Sequence, residues 1–295
     1  MKTSINSRQS SLKAVFSTLL PVAVVSLFAG IAPICSGQVI TDFNFDSLTL
    51  GSALPTTASS VDSYPQHTVY SVGGNPNDLD PSISNPLTGT ATVQNVGGLS
   101  KAAVMSTTQA GTGALYIDTQ MLFTTPTMDL SFDIDVVTTP TTGLAQGGVG
   151  APNGQAFAIQ VFGLDAQRLL RFAVSPTSGT GGDFGYRLPG GSGDLVSFGS
   201  YIDGETHHVD IQADFGTSTM DIYLDGIQVV TGAALVSPGT GVSEVFMFQN
   251  GVDGQLNQVA LDNIIVSVPE PSIWGLAFSG IAMLAGLRRF GRRSA

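Results

Sequence analysis

The sequence predicts an all-β protein: an antiparallel β-sandwich over residues 38–268, with an N-terminal signal helix before it and a C-terminal hydrophobic helix after it. Three observations predict this. Short apolar runs in the middle of the chain alternate with polar residues at period two, and no long stretch there shows the 3.6-residue apolar period of a helix. Asp-Gly and Asn-Gly pairs and Gly-, Ser- and Thr-rich segments punctuate those runs. An uncharged apolar run stands at each end of the chain, each beside basic residues.

Residues 1–13 carry Lys2, Arg8 and Lys13, the run 14–34 is uncharged, and the small residues Ser36 and Gly37 follow. That is the order of a secretory signal, with cleavage expected after Gly37 and Gln38 as the mature N-terminus. An uncleaved anchor stays open, because the apolar run is long. Cys35 would leave with the signal, so the body would fold without disulfides or thiolate metal ligands. Ala32-Pro33-Ile34 lacks the small residue that precedes a lipidated cysteine.

Residues 51–113 read as long loops around a few short strands, on the strength of Ser59-Ser60, Gly73-Gly74, the 77–85 segment and Gly97-Gly98. Leu130, Phe132, Ile134 and Val136 alternate with Asp129, Asp133 and Asp135. Val209, Ile211, Ala213 and Phe215 alternate with Asp210, Gln212 and Asp214, and Ile222 and Leu224 alternate with Asp221, Tyr223 and Asp225. Such alternation marks antiparallel strands with one wet face. Further strands are expected at 156–162, 169–174, 245–249 and 261–268, with turns at 165–167, 178–183, 189–193, Asp225-Gly226 and Asn250-Gly251. Two such sheets bury their apolar faces by packing on each other.

Charge divides the chain sharply. Residues 38–268 keep four basic residues, Lys101, Arg168, Arg171 and Arg187, against 21 Asp and Glu, a net charge of −17. Nucleic acid and anionic lipid headgroups are poor partners for such a surface. Divalent cations and neutral or cationic polymers suit it better.

The end of the chain has three parts in order: Val268-Pro269-Glu270-Pro271-Ser272, the uncharged run 273–287, and Arg288, Arg289, Arg292 and Arg293. As a helix the run would be about 22 Å long, short of a hydrocarbon core of roughly 30 Å. It would span with local thinning and with the arginines at the cytoplasmic headgroups. This tail resembles the PEP-CTERM sorting signal of Gram-negative bacteria that make exopolysaccharide. The resemblance implies recognition by an exosortase, a transient inner-membrane anchor, and sorting to the cell surface or extracellular matrix. In the body, the segment from His207-His208-Val209-Asp210-Ile211 to Tyr223-Leu224-Asp225-Gly226 and Val229, with the ending Leu261-Asp262-Asn263-Ile264-Ile265-Val266, resembles the LamG-like, concanavalin A-like jelly roll. The opening segment 40–46 resembles the N-terminal strand of the same fold, which implies that it pairs near the closing strand, and the resemblance implies that the paired histidines are structural.

Candidate chemistry is sparse. Asp133 and Asp135 lie on one face of a strand, about 6.6 Å apart along it, and would be the acid and nucleophile of a glycoside hydrolase. Solvent-facing aspartates of a wet sheet are the simpler account. His207 and His208 point to opposite faces of a strand and cannot share a metal ion, and the third histidine is His67. Asn75, Asn77, Asp78 and Asp80 form an oxygen-rich loop suited to Ca²⁺, or a set of turn formers. Tyr186, Phe198 and Tyr201 would stack on sugar rings, unless they fill the core. The function expected is therefore an exported, non-enzymatic sandwich that binds extracellular polysaccharide or packs into a matrix. The alternatives are a glycoside hydrolase or lyase on the same scaffold, and a scaffold with no ligand.

Overall fold

A computed structural model describes residues 38–43, 45–46, 48–54, 69–73, 89–108, 111–142, 144, 154–190 and 195–268. The signal, His67, the loop carrying Asn75, Asn77, Asp78 and Asp80, and the whole sorting tail lie outside the described residues.

The strands are β1 (Gln38–Phe43), β2 (Val69–Gly73), β3 (Gly89–Val96), β4 (Leu99–Thr107), β5 (Gly111–Thr124), β6 (Thr127–Thr138), β7 (Phe157–Phe162), β8 (Arg168–Ser178), β9 (Gly181–Arg187), β10 (Leu195–Ile202), β11 (Thr206–Asp214), β12 (Thr219–Leu224), β13 (Ile227–Ala234), β14 (Gly241–Gly251) and β15 (Asn257–Val268). They form two antiparallel sheets. The first has the order β13-β12-β11-β6-β15-β4-β3, with β1 also on β15, and the second runs β10-β9-β8-β7-β14-β5-β2.

Burial follows the sequence where alternation was clean. Met128, Leu130, Phe132 and Ile134 of β6 are buried and their odd-numbered neighbours up to Asp133 are half-exposed. The same holds for Val209, Ile211 and Ala213 of β11. These inner faces meet those of β7, β8 and β14 in one large core. Phe132 of the first sheet and Phe172 of the second join across it, ring centroids 5.1 Å apart and nearly perpendicular, an arrangement that adds about 1 kcal/mol to the burial itself.

The first and last strands do pair. β1 lies along Ile264–Val268 of β15, and β4 occupies Asn257–Leu261 on the same strand. Between them β15 shifts register at Asp262–Ile265, with Asn263 at φ 49°.

One expectation is sharpened and one corrected. Residues 89–107, inside the span expected to hold a few short strands among long loops, form a paired hairpin, with Val96 opposite Leu99 across Gly97-Gly98. Its β4 arm hides because Ala102, Ala103, Val104 and Met105 are all buried, two of them in a small outer cluster with Leu99 and Ala260, so no alternation survives. Asn250-Gly251 is not a turn. Asn250 is buried inside β14 and its amide donates to the Gln155 carbonyl at 2.7 Å. The chain turns instead at Asp253-Gly254, where Val252 and Gln255 bridge.

Candidate functional site

The aspartates expected as a catalytic pair occupy two different environments. Asp133 is held at both oxygens: His208 Nδ1 lies 2.6 Å from Oδ1, and Asn263 Nδ2 donates to Oδ2 at 2.7 Å. Asp135 is 0 % exposed, not solvent-facing, because Thr206 and the Gly97-Gly98 turn close over it. Its Oδ1 makes no hydrogen bond, and burial raises its carboxyl above the ordinary range against the opposing pull of Thr206 and His207. Asp203 nearby is pushed up to about 6, by burial first and by Asp135 second. A carboxylate locked by two donors and another sealed beneath a turn do not present an acid and a nucleophile to one sugar.

The two histidines divide between the faces of β11, as expected. His207 packs edge-on to Phe184 at 5.4 Å, while His208 reaches Asp133. Asp225 ties both to the β12–β13 turn: His207 Nδ1 is 2.9 Å from Oδ2, and the His208 amide donates to Oδ1 at 2.9 Å. Partial burial raises the Asp225 carboxyl, but these bonds outweigh it and hold it below its ordinary value. Among the described residues no group of three or more His, Cys, Asp or Glu is gathered to hold a metal ion.

The aromatics expected to stack on sugar face inward. Tyr201 is 3 % exposed, 5.1 Å from Phe184, and Phe198 lies 6.1 Å from Phe172 and 6.5 Å from Tyr186. Tyr186 and Phe198 are half-buried and pack against the main core.

The outer face of the first sheet is acidic. Between β6, β11 and β12 it has a cavity of about 290 Å³ lined by Thr127, Asp129, Gln212, Asp214, Thr219 and Asp221, among others. Burial, and Asp210 after it, push Asp129 up to about 6.

The outer face of the second sheet is the chemically distinct feature. Pairing sets Gln160 of β7 between Arg171 of β8 and Phe246 of β14, and Phe162 opposite Arg168. The Arg168 guanidinium lies 5.9 Å from the Phe162 ring and donates through Nε to Gln160 Oε1 at 2.7 Å. Arg171 lies 5.1 Å from the Phe248 ring, which is 5.7 Å from Phe246. Arg171 is 3 % exposed, and its Nε and Nη2 make no hydrogen bond. Burial, then Arg168 and Arg187, bring it down to about 9, and Arg168 is lowered by burial and by Arg187. Three of the four cations between residues 38 and 268 thus act on one another on one face.

Sequence reasoning missed this face. The available signal was the loss of alternation: Ala156-Phe157-Ala158-Ile159 and Val245-Phe246-Met247-Phe248 are continuous apolar runs, the mark of strands covered on both sides.

No family model matches the chain, and no curated protein matches it. Among solved structures it is similar to a sialidase, with a TM-score of 0.48 and 11% identity over 68% of this chain and 17% of that one. It is similar to a binding domain of botulinum neurotoxin DC in complex with SialylT, with a TM-score of 0.44 and 10% identity over 80% of this chain and 49% of that one. A third is cellulose induced protein Cip1, at 0.44 and 10% over 67% of this chain and 90% of that one. The chain thus matches less than half the length of the first two. All three likenesses are too loose to carry function from those proteins to this chain.

Proposed function

We propose that this protein is an exported, non-enzymatic β-sandwich that is sorted to the cell surface or extracellular matrix and binds glycan beside Arg168, at the partly exposed end of β7 and β8 in its second sheet. The observation that carries the reading is the half-exposed Arg168–Phe162 pair, with the Gln160 amide held against Arg168. Sugar rings present apolar C–H faces and a rim of hydroxyls. A face that sets aromatic rings beside planar donors and an amide matches both. The sorting part of the reading comes from residues 1–37 and 269–295, with an exosortase as the partner that processes the tail.

Two experiments test it. Affinity capture of the full-length protein on immobilised extracellular polysaccharide is expected to retain it, with Arg168→Gln weakening retention. No retention by any polysaccharide, and no ligand-induced rise in melting temperature, would leave a matrix scaffold without ligand. Intact mass of the protein from its native membrane or medium is expected to begin at Gln38 and end near Pro269-Glu270-Pro271. A mass that keeps both ends would overturn the sorting reading.

A hydrolase or lyase on the same scaffold has one observation in its favour, the raised Asp129 carboxyl beside its cavity. A carboxyl that holds its proton near pH 6 suits a general acid. Release of reducing ends from a glycan panel that disappears in Asp129→Asn would establish it.

A further inference from the structure

We infer that the Arg168 site is shielded while the chain is anchored and opens when the tail is cut, because both terminal segments leave the sandwich at the end that carries this site. This rests on the sorting and glycan-binding readings and adds an order to them, with release first and polymer second.

Strand register fixes that end. Gln38 pairs with Val268, so the residue expected to follow the signal and the residue before Pro269 stand side by side at the end of one ladder. One step back, Ser267 lies opposite Asp129 of β6, close to where that strand begins at Thr127. In the turn that leads into β6, the Thr125 amide donates to the Thr240 carbonyl at 3.3 Å, which brings in the start of β14 on the second sheet. Gly241 comes next, and a Cβ added to it would lie 2.9 Å from Leu164 Cδ1 in the β7–β8 turn. Just past that turn the Leu169 carbonyl accepts from the Val236 amide at 2.8 Å. Phe162 and Arg168 flank the same turn. The exit of the tail and the glycan site are thus joined around one end of the sandwich.

Thr141 marks the opposite end. It is exposed and lies 3.6 Å from a Cβ added to Gly179, just beyond Ser178 where β8 stops. At the rise of a strand, β8 carries the chain about 30 Å from Arg168 to that end.

The leash is short. Only residues 269–272 separate Val268 from the uncharged run. Fully extended, four residues reach about 14 Å, and Pro269 and Pro271 stiffen them. With the run in a bilayer, this keeps the exit end of the sandwich within that distance of the surface and leaves the Thr141 end toward bulk water. A polysaccharide entering so narrow a gap loses conformational freedom and hydration along its length, which lowers its affinity. Cutting the tail removes the surface from beside Arg168 without touching β15, since Val268 is still inside the ladder.

Two measurements test this on the full chain in phosphatidylcholine vesicles. The comparison is a chain with a Gly-Ser insert of about 30 residues between Val268 and Pro269, which spans about 30 Å on average. In a Cys35→Ser background, a dye at Gln167→Cys is expected to transfer energy to headgroup acceptors more strongly than one at Thr141→Cys, and the insert to remove the difference. Soluble β-glucan and polyuronate are then titrated. At least one is expected to bind the long-insert chain about tenfold or more tightly than the short-leashed chain, with Arg168→Gln abolishing that gain. Equal transfer from the two dyes, or equal binding by the two chains, would overturn this inference and leave the glycan reading standing. Binding of neither polymer to the long-insert chain would sink both. A chain that does not float with the vesicles would overturn the anchoring on which the inference rests.

Discussion

Gly97 stands at φ 55° with the Asp135 carboxylate against it, so an added Cβ would lie 1.9 Å from Oδ2. Gly97→Ala therefore meets both a left-handed backbone and a steric clash with a buried acid. It is expected to cost about 1–3 kcal/mol, read as a lowered denaturation midpoint. Titration gives a second expectation at this scale. Asp129, Asp203 and Asp262 are each raised from 3.8 to about 6, in every case by burial first. A raised carboxyl binds its proton more tightly folded than unfolded, so its contribution is fully present below pH 3.8 and is lost as pH rises through about 6. Asp225 is lowered and acts in the opposite sense, losing its contribution as acid protonates it. Burial raises Asp135 and Asp210 as well, so five raised groups outweigh one; the melting temperature is expected to fall between about pH 4 and pH 6, and Asp203→Asn is expected to flatten that slope. A melting temperature that climbs across the same interval would contradict the burial of these carboxyls. The alternation of β6 showed where Asp133 and Asp135 lie, but not that a turn from β3–β4, distant in sequence, seals one of them.

At the scale of elements, legibility tracked wetness. Strands β6, β11 and β12 have one exposed face, so their period-two pattern announced them and their inward residues. Strands β7, β8 and β14 are buried on both faces over much of their length. A strand apolar on both sides carries no sign of which residues face the core, so the outward direction of Arg171 and Phe248 could not be read. The candidate site needed more still, because Arg171 of β8 and Phe248 of β14, which meet in the fold, lie more than seventy residues apart in sequence. The Asp225-Gly226 turn was legible for a local reason, since both residues hold the positive φ, 52° and 78°, that Asp-Gly tolerates. The contact between sheets was not local. Phe132 is fully buried and joins Phe172 across it, so Phe132→Ala is expected to cost about 3–5 kcal/mol in chemical denaturation. A loss below about 1 kcal/mol would mean that the sheets do not pack through this pair.

The whole molecule is polarised across its two sheets. The outer face of the first gathers Asp129, Asp214 and Asp221 around a cavity, with Asp210 acting on Asp129, while that of the second gathers Arg168, Arg171 and Arg187. The net charge of −17 over residues 38–268 conceals this division, because four basic residues contribute little to a sum although three of them share a face. The arginine side chains report on the glycan binding proposed for the second sheet. The Nε–Hε resonances of the full chain, followed by NMR while a glycan is added, test it most directly. Binding beside Arg168 predicts that its resonance shifts and saturates while the signals of Arg8 and of the tail arginines stay in place. Saturable binding that leaves the Arg168 resonance unmoved would contradict the placement of the site and return the search to the acidic face.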